Sequence, residues 1–285
     1  MPLPRPQLSQ REFRSLVPAV RAALDESDAI ILRYLHGARA SRKSDGSEVT
    51  IADRKAEQLL RVLLRTAWPA DAVLGEEYGG EVARQGRCWL IDPIDGTASY
   101  VLGMPMFGSL LSLLIDGEPV FGCIHLPALR ETTYAAIGHG CWFAREREKA
   151  RRVRVAPPRP LSQAKVGMTA VKERAWLKRP GGQAVTGLAQ QVGRLRMVGD
   201  CVQYALLCRG VLDAAVDPFM KPWDIAPLVP CVLEAGGSMS DLHGETSHLI
   251  ELNSIVAASS PRLRREITRA AGRRTESTAT RAASP

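Results

Sequence analysis

The sequence predicts a layered α/β fold, an α+β sandwich, with a mostly antiparallel first sheet and a second, smaller α/β half. Two long helical patterns open the chain. Two β-like runs follow at residues 107–115 and 119–126, and Asp116-Gly117 between them is a hairpin signal. Strand and helix patterns alternate beyond the prolines at 157–160, which mark a seam between the halves. A chain of 285 residues can bury the core of such a fold.

The two opening helices are predicted from their apolar spacing. The first runs from Ser9 to about Ala40, and its apolar side chains share one face: Phe13, Leu16, Val20, Ala23, Leu24, Ile31 and Leu35. A polar loop at 41–47 separates it from the second helix. Thr50 or Asp53 can cap that helix, and Pro69 ends it. Capping alone would explain both of these polar residues.

The chain is organised around the segment from Cys88 to Thr97. Its first four residues are apolar and predict a short buried strand. Asp92 and Asp95 follow, three positions apart, and Pro93 between them stiffens the turn. Gly96 permits close approach of the backbone to a ligand, so the segment suits divalent cations bridged by a phosphate oxygen. Asp-Pro and Asp-Gly are also common turn dipeptides, and the turn alone leaves a solvated surface loop open.

Further acids stand at the ends of predicted elements. Glu76 and Glu77 follow the apolar run 73–75, which can form a strand beside the central one. Asp224 lies at the start of a helical stretch, where the helix dipole favours an acid with or without a metal. Spacing does not show that these acids meet, and adjacent glutamates are also typical of a wetted surface.

The remaining elements are shorter. We expect a third antiparallel strand at 132–137, a loop at 138–143 and a charged, solvated edge at 145–154. Beyond the seam the patterns predict strands at 164–170, 195–199, 212–216 and 255–258 and helices at 182–192, from 200, at 224–236 and at 262–271. Asp200 is a good cap for the helix that it opens.

The net charge of +8 is concentrated at the C-terminal end. Seven arginines and two glutamates fall between Pro261 and Pro285, so this segment carries five of the eight positive charges. A basic end rich in Ala, Ser and Thr is typical of a disordered tail. Nucleic acid is therefore not an expected partner, although contact through the tail stays open as an alternative.

The composition also argues against a membrane protein, a secreted protein and a zinc-binding protein. The longest apolar stretch, at 110–115, is too short to span a bilayer, and residues 1–10 contain no signal-peptide core. We therefore expect a cytoplasmic protein without a membrane partner. The six cysteines form no C-x-x-C pair, which argues against a zinc site, and most lie in apolar runs as buried thiols. The five histidines are scattered and receive no catalytic role.

Three motifs occur in order along the chain: Gly75-Glu76-Glu77, Asp92 to Thr97, and Trp223-Asp224-Ile225-Ala226. Together they resemble the inositol monophosphatase superfamily, over about residues 11–271. That resemblance implies alternating α-β-α-β-α layers, a lithium-sensitive, Mg²⁺-dependent phosphatase with two or three metal ions, a small phosphorylated substrate, and a homodimer.

We expect four segments from this resemblance. They are a disordered N-terminus at 1–10, an α+β half at 11–156 with most metal ligands, an α/β half at 157–272 with the substrate-side residues, and a disordered basic tail at 273–285.

Within the superfamily the chain is similar to the histidinol-phosphatase subgroup. The similarity lies in residues 43–50, Gly199-Asp200-Cys201, 213–217 and 221–224. Inositol phosphatases usually carry Gly-Thr-Ala where Asp200 stands here. An acid at that position can pair with a substrate amine, which histidinol has and inositol lacks.

The resemblance also implies a role for each site residue. The metal ligands would be Glu76, Asp92, Asp95, Asp224 and the main-chain oxygen of Ile94. The catalytic residues would be Asp53, Thr50, Thr97 and Glu76, with Asp53 and Thr50 orienting or deprotonating the attacking water. The phosphate would be held by Gly96 and Thr97. The alcohol side of the substrate would be lined by Gly199, Asp200, Cys201 and Asp217. Lys43 would lie near a third metal or the phosphate.

The chemistry of phosphate esters agrees with these roles. Uncatalysed hydrolysis of a phosphate monoester is among the slowest biological reactions, requiring accelerations of up to about 10²¹-fold. Carboxylates alone would repel the doubly charged ester, whereas bound Mg²⁺ reverses the local charge. The expected reaction converts L-histidinol phosphate to L-histidinol and phosphate, a step of histidine biosynthesis. The alternative substrates are inositol 1-phosphate or a related sugar or nucleotide phosphate.

Two other phosphate chemistries are excluded by motif. Haloacid-dehalogenase enzymes use two aspartates two positions apart after a strand, whereas here they are three apart. The chain also has no G-x-x-x-x-G-K-[ST] segment, so it contains no P-loop.

Overall fold

A computed structural model describes residues 6–44, 46–81, 85–146, 148–169 and 187–272. Helix α1 (Gln10–Tyr34) is capped by Ser9, whose Oγ accepts from the Glu12 N–H at 3.2 Å while the Glu12 carboxylate accepts from the Ser9 N–H at 2.8 Å. The helix continues through Pro18. Six of its seven predicted apolar residues are buried, because they share the face that packs on the first sheet or on α2.

Helix α2 (Ile51–Ala67) begins with a second capping box. The Thr50 Oγ1 accepts from the Ala52 N–H at 3.1 Å, and the Asp53 carboxylate accepts from the Thr50 N–H at 2.8 Å. A short hairpin, β1 (Ser41–Arg42) and β2 (Glu48–Val49), precedes it in the segment predicted as a loop. The predicted start of the second helix is thus confirmed.

The first sheet has seven strands in sequence order. They are β3 (Ala72–Gly75), β4 (Arg87–Asp95), β5 (Gly108–Ile115), β6 (Glu118–Leu126), β7 (Glu131–Ala136), β8 (Gly140–Arg145) and β9 (Arg151–Val153). Only β3 and β4 pair in parallel, so the sheet is mostly antiparallel as predicted. The short helix α3 (Thr97–Val101) follows β4 directly.

The second sheet has five strands in the order β11-β10-β12-β14-β13. Its strands are β10 (Lys165–Met168), β11 (Arg194–Met197), β12 (Ala214–Asp217), β13 (Ser238–Ser240) and β14 (Ile255–Ala258). Among the helices of this half, the structure describes three from end to end: α4 (Asp200–Cys208), α5 (Pro222–Glu234) and α6 (Pro261–Gly272). The described part of the chain also contains 3₁₀ turns at Pro127–Leu129, Leu161–Gln163 and Leu249–Glu251.

Three apolar clusters join these elements into five layers. Side chains of α1 and α2 pack on one face of the first sheet, around Trp89 and Phe121. Helices α4 and α5 fill the space between the two sheets, around Leu110, Leu228 and Ala257. Helix α6 covers the far face of the second sheet. The order of layers is therefore α-β-α-β-α, which confirms the predicted sandwich, and the two halves share the central core.

The structure differs from the expectations in a few segments. Residues 138–143 were expected to form a loop, but β8 pairs with β7 there, because the turn Ile137 to His139 reverses the chain. Strand β13 had no prediction. The expected disordered N-terminus does not hold at its end, since Leu8 is buried and Ser9 caps α1. Three segments lie outside the described residues: the tail at 273–285, the first part (182–186) of the predicted helix at 182–192, and residues 1–5. Among the described helices, none combines the length and the hydropathy needed to cross a bilayer.

Helix α5 lies directly on β6 at Gly122. A β-carbon at this position would overlap the main-chain carbonyl of Pro227. We predict that Gly122→Ala lowers the free energy of unfolding by about 1–3 kcal/mol, because the helix must move away from the sheet. Urea unfolding would measure it. Val62→Ala, on the exposed face of α2, is the control and should change stability by no more than about 0.5 kcal/mol. Equal effects of the two substitutions would contradict this account of the packing.

Candidate metal centre and active site

The turn after β4 is held from within the protein. The Asp92 carboxylate accepts from the Ile94 N–H at 3.0 Å, and Ser109 Oγ of β5 donates to the Pro93 carbonyl at 2.7 Å. The pairing of β4 with β5 is irregular between Asp92 and Asp95. This bulge interrupts the alternation of side chains, so both acids can face the same space.

Three carboxylates converge at this turn. Asp92, Asp95 and Asp224 each offer an oxygen, and these oxygens lie within 4.8 Å of one another. Asp224 comes from the first turn of α5, where its carboxylate accepts from the Lys221 N–H at 2.8 Å. The first sheet and a helix of the second half therefore build the cluster together.

The cluster carries concentrated negative charge. Burial raises the pKa of Asp92 well above its usual range, and repulsion from Glu76, Asp95 and Asp224 raises it further. Burial likewise raises the pKa of Asp95, with added repulsion from Asp200 and Asp224. Several hard oxygen donors around one point are the donor set that a divalent cation prefers. The residues present therefore fit a metal ion.

Glu76 lies beside this cluster and contacts Lys43. The Lys43 ammonium donates to Glu76 at 2.8 Å and to Glu77 at 2.5 Å. Burial acts to lower the pKa of Lys43, but the hydrogen bonds to the two glutamates outweigh it and raise the pKa. Burial raises the pKa of Glu77 to about 7, against the opposing effect of Lys43. The β1–β2 hairpin thus brings a cation to the edge of the acidic site.

Asp53 connects α2 to the turn. Its carboxylate accepts from the Thr50 hydroxyl at 2.5 Å and from the Thr97 hydroxyl at 3.3 Å. Thr97 Oγ1 also lies 3.0 Å from the Ile94 carbonyl, so its single hydrogen is shared between two acceptors. Burial raises the pKa of Asp53, even though the hydrogen bonds from Thr50 oppose this. The structure therefore brings Thr50, Asp53, Thr97 and Ile94 together as one chain of contacts.

The second half contributes the start of α4. Gly199 and Asp200 both have positive φ, +79° and +50°. A β-carbon on Gly96 would come within 2.9 Å of the Asp200 carboxylate, so Asp200 lies against the turn. The Cys201 N–H donates to Asp95 at 2.5 Å. Cys201, a residue that we expect on the substrate side, has a side chain that is 1% exposed and lies near Gly108, and its thiol as well as its N–H interacts with Asp95.

Asp217 is more buried than Asp200, the other acid among the substrate-side candidates. It is 6% exposed at the end of β12, and its carboxylate accepts from the Phe219 N–H at 3.1 Å. Burial raises the pKa of Tyr204, and repulsion from Asp217 and Asp95 raises it further. The charges of Asp217 and Asp95 therefore both act on Tyr204.

Two contributions had no prediction from the sequence. Ser109 holds the central turn through its hydroxyl, and Cys201 supplies a backbone N–H. Ser109 offers a signal in retrospect, since it is one of two polar residues in the otherwise apolar strand β5. The Cys201 N–H leaves no signal, because every residue except proline has one.

The five layers and the carboxylate cluster after β4 are the features of a metal-dependent phosphatase. Residues 14–276 match the model of the inositol monophosphatase family. The chain belongs to that family and is a phosphoric monoester hydrolase.

Relatives are found among curated proteins and solved structures. The chain is 38% identical over 207 residues to a histidinol-phosphatase of Mycobacterium tuberculosis, covering 72% of this chain and 78% of that protein. A histidinol-phosphatase of Chlorobaculum parvum is 36% identical over 216 residues, 76% of this chain and 80% of that protein. The structure of an inositol monophosphatase from Zymomonas mobilis has a TM-score of 0.76 at 28% identity, covering 93% of this chain and 99% of that one.

We predict that metal binding stabilises the protein more at pH 8 than at pH 5.5. The raised pKa values of Asp92 and Asp95 mean that the metal-free fold binds more protons than the unfolded chain above about pH 4. Without metal, stability therefore falls as pH rises through the folded pKa values, and a cation offsets that loss. Melting temperatures in EDTA and in MgCl₂ at both pH values test this. An Mg²⁺-induced shift that is equal at the two pH values would contradict it.

Proposed function

We propose that this phosphatase hydrolyses L-histidinol phosphate to L-histidinol and phosphate with Mg²⁺ as its cofactor. The observation that carries the proposal is Asp200, an acid from α4 that lies against the turn carrying Asp92 and Asp95. Asp200 provides a negative charge beside the proposed phosphate site. A substrate whose alcohol part is a neutral polyol has no need of that charge. The histidinol-phosphatases among the relatives support the same substrate.

The geometry of the acids supports a proposed set of metal ligands. Asp92, Asp95, Asp224 and Glu76 would hold Mg²⁺ through their carboxylates, and Ile94 through its main-chain oxygen. When bound, the metal lowers the pKa of a coordinated water and neutralises charge on the phosphate and the departing oxygen. The Cys201 N–H holds one Asp95 oxygen, which fixes the direction of the carboxylate.

Asp53 would receive a proton from the attacking water. Its raised pKa makes it a stronger base than an ordinary aspartate, and the Thr50 hydroxyl fixes one of its oxygens. Thr97 contacts the other oxygen and lies at the first residue of α3, next to Gly96. Gly96 and Thr97 would hold the phosphate through their main chain and the Thr97 hydroxyl. Lys43 would move from Glu76 to a phosphate oxygen when the substrate binds.

The amine of the substrate would lie on the Asp200 side. Asp200 and Gly199 would contact the alcohol portion directly, and Asp217 behind Tyr204 adds negative potential at that end. We also propose that the protein is a cytoplasmic homodimer, as the resemblance to the family leads us to expect. Size-exclusion chromatography with light scattering would test the dimer.

We predict that Asp95→Asn abolishes measurable turnover, by at least about 100-fold, while the fold persists. Changes to residues that only support metal ligands already cost about 10- to 100-fold, and this change removes a ligand. Steady-state assays with Mg²⁺ give the rate, and circular dichroism gives the fold. Asp116→Asn, a carboxylate in the β5–β6 turn, is the matched control. Wild-type activity of Asp95→Asn would contradict the assignment.

We predict that Asp200→Asn selectively impairs L-histidinol phosphate. Asparagine tolerates the left-handed backbone of residue 200, whereas threonine would be strained there. Loss of a charge-assisted contact should lower kcat/KM for this ester by roughly 10- to 100-fold. Inositol 1-phosphate, which has no amine, should lose far less. Equal losses on both substrates, or faster wild-type hydrolysis of inositol 1-phosphate, would argue against the proposed substrate.

A further inference from the structure

Glu57 is a buried charge that has no role in the site described so far. It lies one helical turn after Asp53 on α2, on the apolar face formed by Ala56, Leu60 and Leu64. Its side chain is 0% exposed. A buried carboxylate requires a set of partners that compensates for lost hydration, so the identity of those partners indicates its role.

The partners of Glu57 belong to the loop that carries Glu76. One carboxylate oxygen accepts from the Glu77 N–H at 2.7 Å, and the other accepts from the Tyr78 N–H at 3.2 Å. The second oxygen also accepts from Arg61 Nε at 2.8 Å. Glu57 therefore fixes the backbone immediately after Glu76.

Arg61 completes the attachment. Its guanidinium donates to the Val73 carbonyl of β3 at 3.3 Å and to the Gly79 carbonyl beyond the loop. The loop closes on itself through Gly75 and Gly79, which exchange main-chain hydrogen bonds at 3.1 and 3.0 Å. A β-carbon on Gly75 would overlap the Glu57 carboxylate, so the glycine permits this close approach. The Glu57–Arg61 ion pair therefore contacts the loop at its start (Val73), in its middle (Glu77 and Tyr78) and at its end (Gly79).

We infer that Glu57 and Arg61 are positioning residues that set the direction of the Glu76 carboxylate and thereby the affinity for Mg²⁺. This inference rests on the proposed role of Glu76 as a metal ligand. Because Arg61 neutralises Glu57, the pair orients Glu76 without adding net charge to the acidic cluster. Helix α2 then carries both the proposed base, Asp53, and the support of a ligand, one turn apart.

Isothermal titration of Mg²⁺ into metal-free enzyme, without substrate, tests this inference. We expect Glu57→Gln to weaken Mg²⁺ binding by about 10- to 100-fold, the range for residues that support metal ligands. Arg61→Lys keeps the charge but cannot bridge both carbonyls, so it should weaken binding in the same direction and to a smaller extent. Circular dichroism confirms the fold of each variant.

A double-substitution cycle shows whether Glu57 acts through Glu76. The variant Glu57→Gln with Glu76→Gln should bind Mg²⁺ no more weakly than Glu76→Gln alone, because the supported ligand is already lost. Glu131→Gln, a buried carboxylate paired with Arg145 and Arg209 beyond the far end of α4, is the control and should bind as wild type.

The possible outcomes distinguish a failure of the positioning role from a failure of the proposed role of Glu76 as a metal ligand. If Glu76→Gln weakens binding but Glu57→Gln does not, or if the two losses multiply in the double variant, the positioning role is overturned. If Glu76→Gln binds Mg²⁺ as tightly as wild type, the proposed ligand set is wrong and this inference falls with it.

Discussion

The main physical constraint on the site is the mutual repulsion of the carboxylates that the fold holds together at the end of β4. Asp92 is almost fully buried, and its neighbours Glu76, Asp95 and Asp224 all carry the same charge when ionised. In water such charges would separate, but the sheet and the helices hold them in place. Holding the carboxylates together therefore lowers the stability of the metal-free fold, and a cation makes the arrangement favourable. Such a cost is expected where a functional site departs from the rules of packing.

Rigid contacts on every side maintain this arrangement. Ser109 holds the turn from the neighbouring strand, and the Cys201 N–H holds Asp95 from α4. The central core joins both sheets through α4 and α5, so the two halves that build the site share one packed interior. A site assembled from two halves in this way gains precision from packing that lies far from the reacting atoms.

The acids around the turn divide into groups with different surroundings. The three at the centre, Asp92, Asp95 and Asp224, offer oxygens that lie within 4.8 Å of one another, whereas Glu76 and Glu77 contact Lys43 and the buried Glu57 contacts Arg61. The acids that pair with Lys43 or Arg61 belong to the loop around the centre or hold its backbone, and the central group presents its oxygens toward one point. This division explains how one region can contain so many carboxylates and remain folded.

The sequence alone determined the elements whose signals are local. Apolar spacing predicted the opening helices, alternation and the Asp116-Gly117 turn predicted the antiparallel sheet, and three short motifs indicated the acids of the site. Strand β8 escaped because its glycine and aromatic residues suggest a loop until β7 pairs with them. The convergence of Asp224 with Asp92, the burial of the Cys201 thiol and the grip of Glu57 on the Glu76 loop were decided only by tertiary structure. Each joins residues far apart in the chain, and sequence spacing contains no information about such distances until packing fixes them.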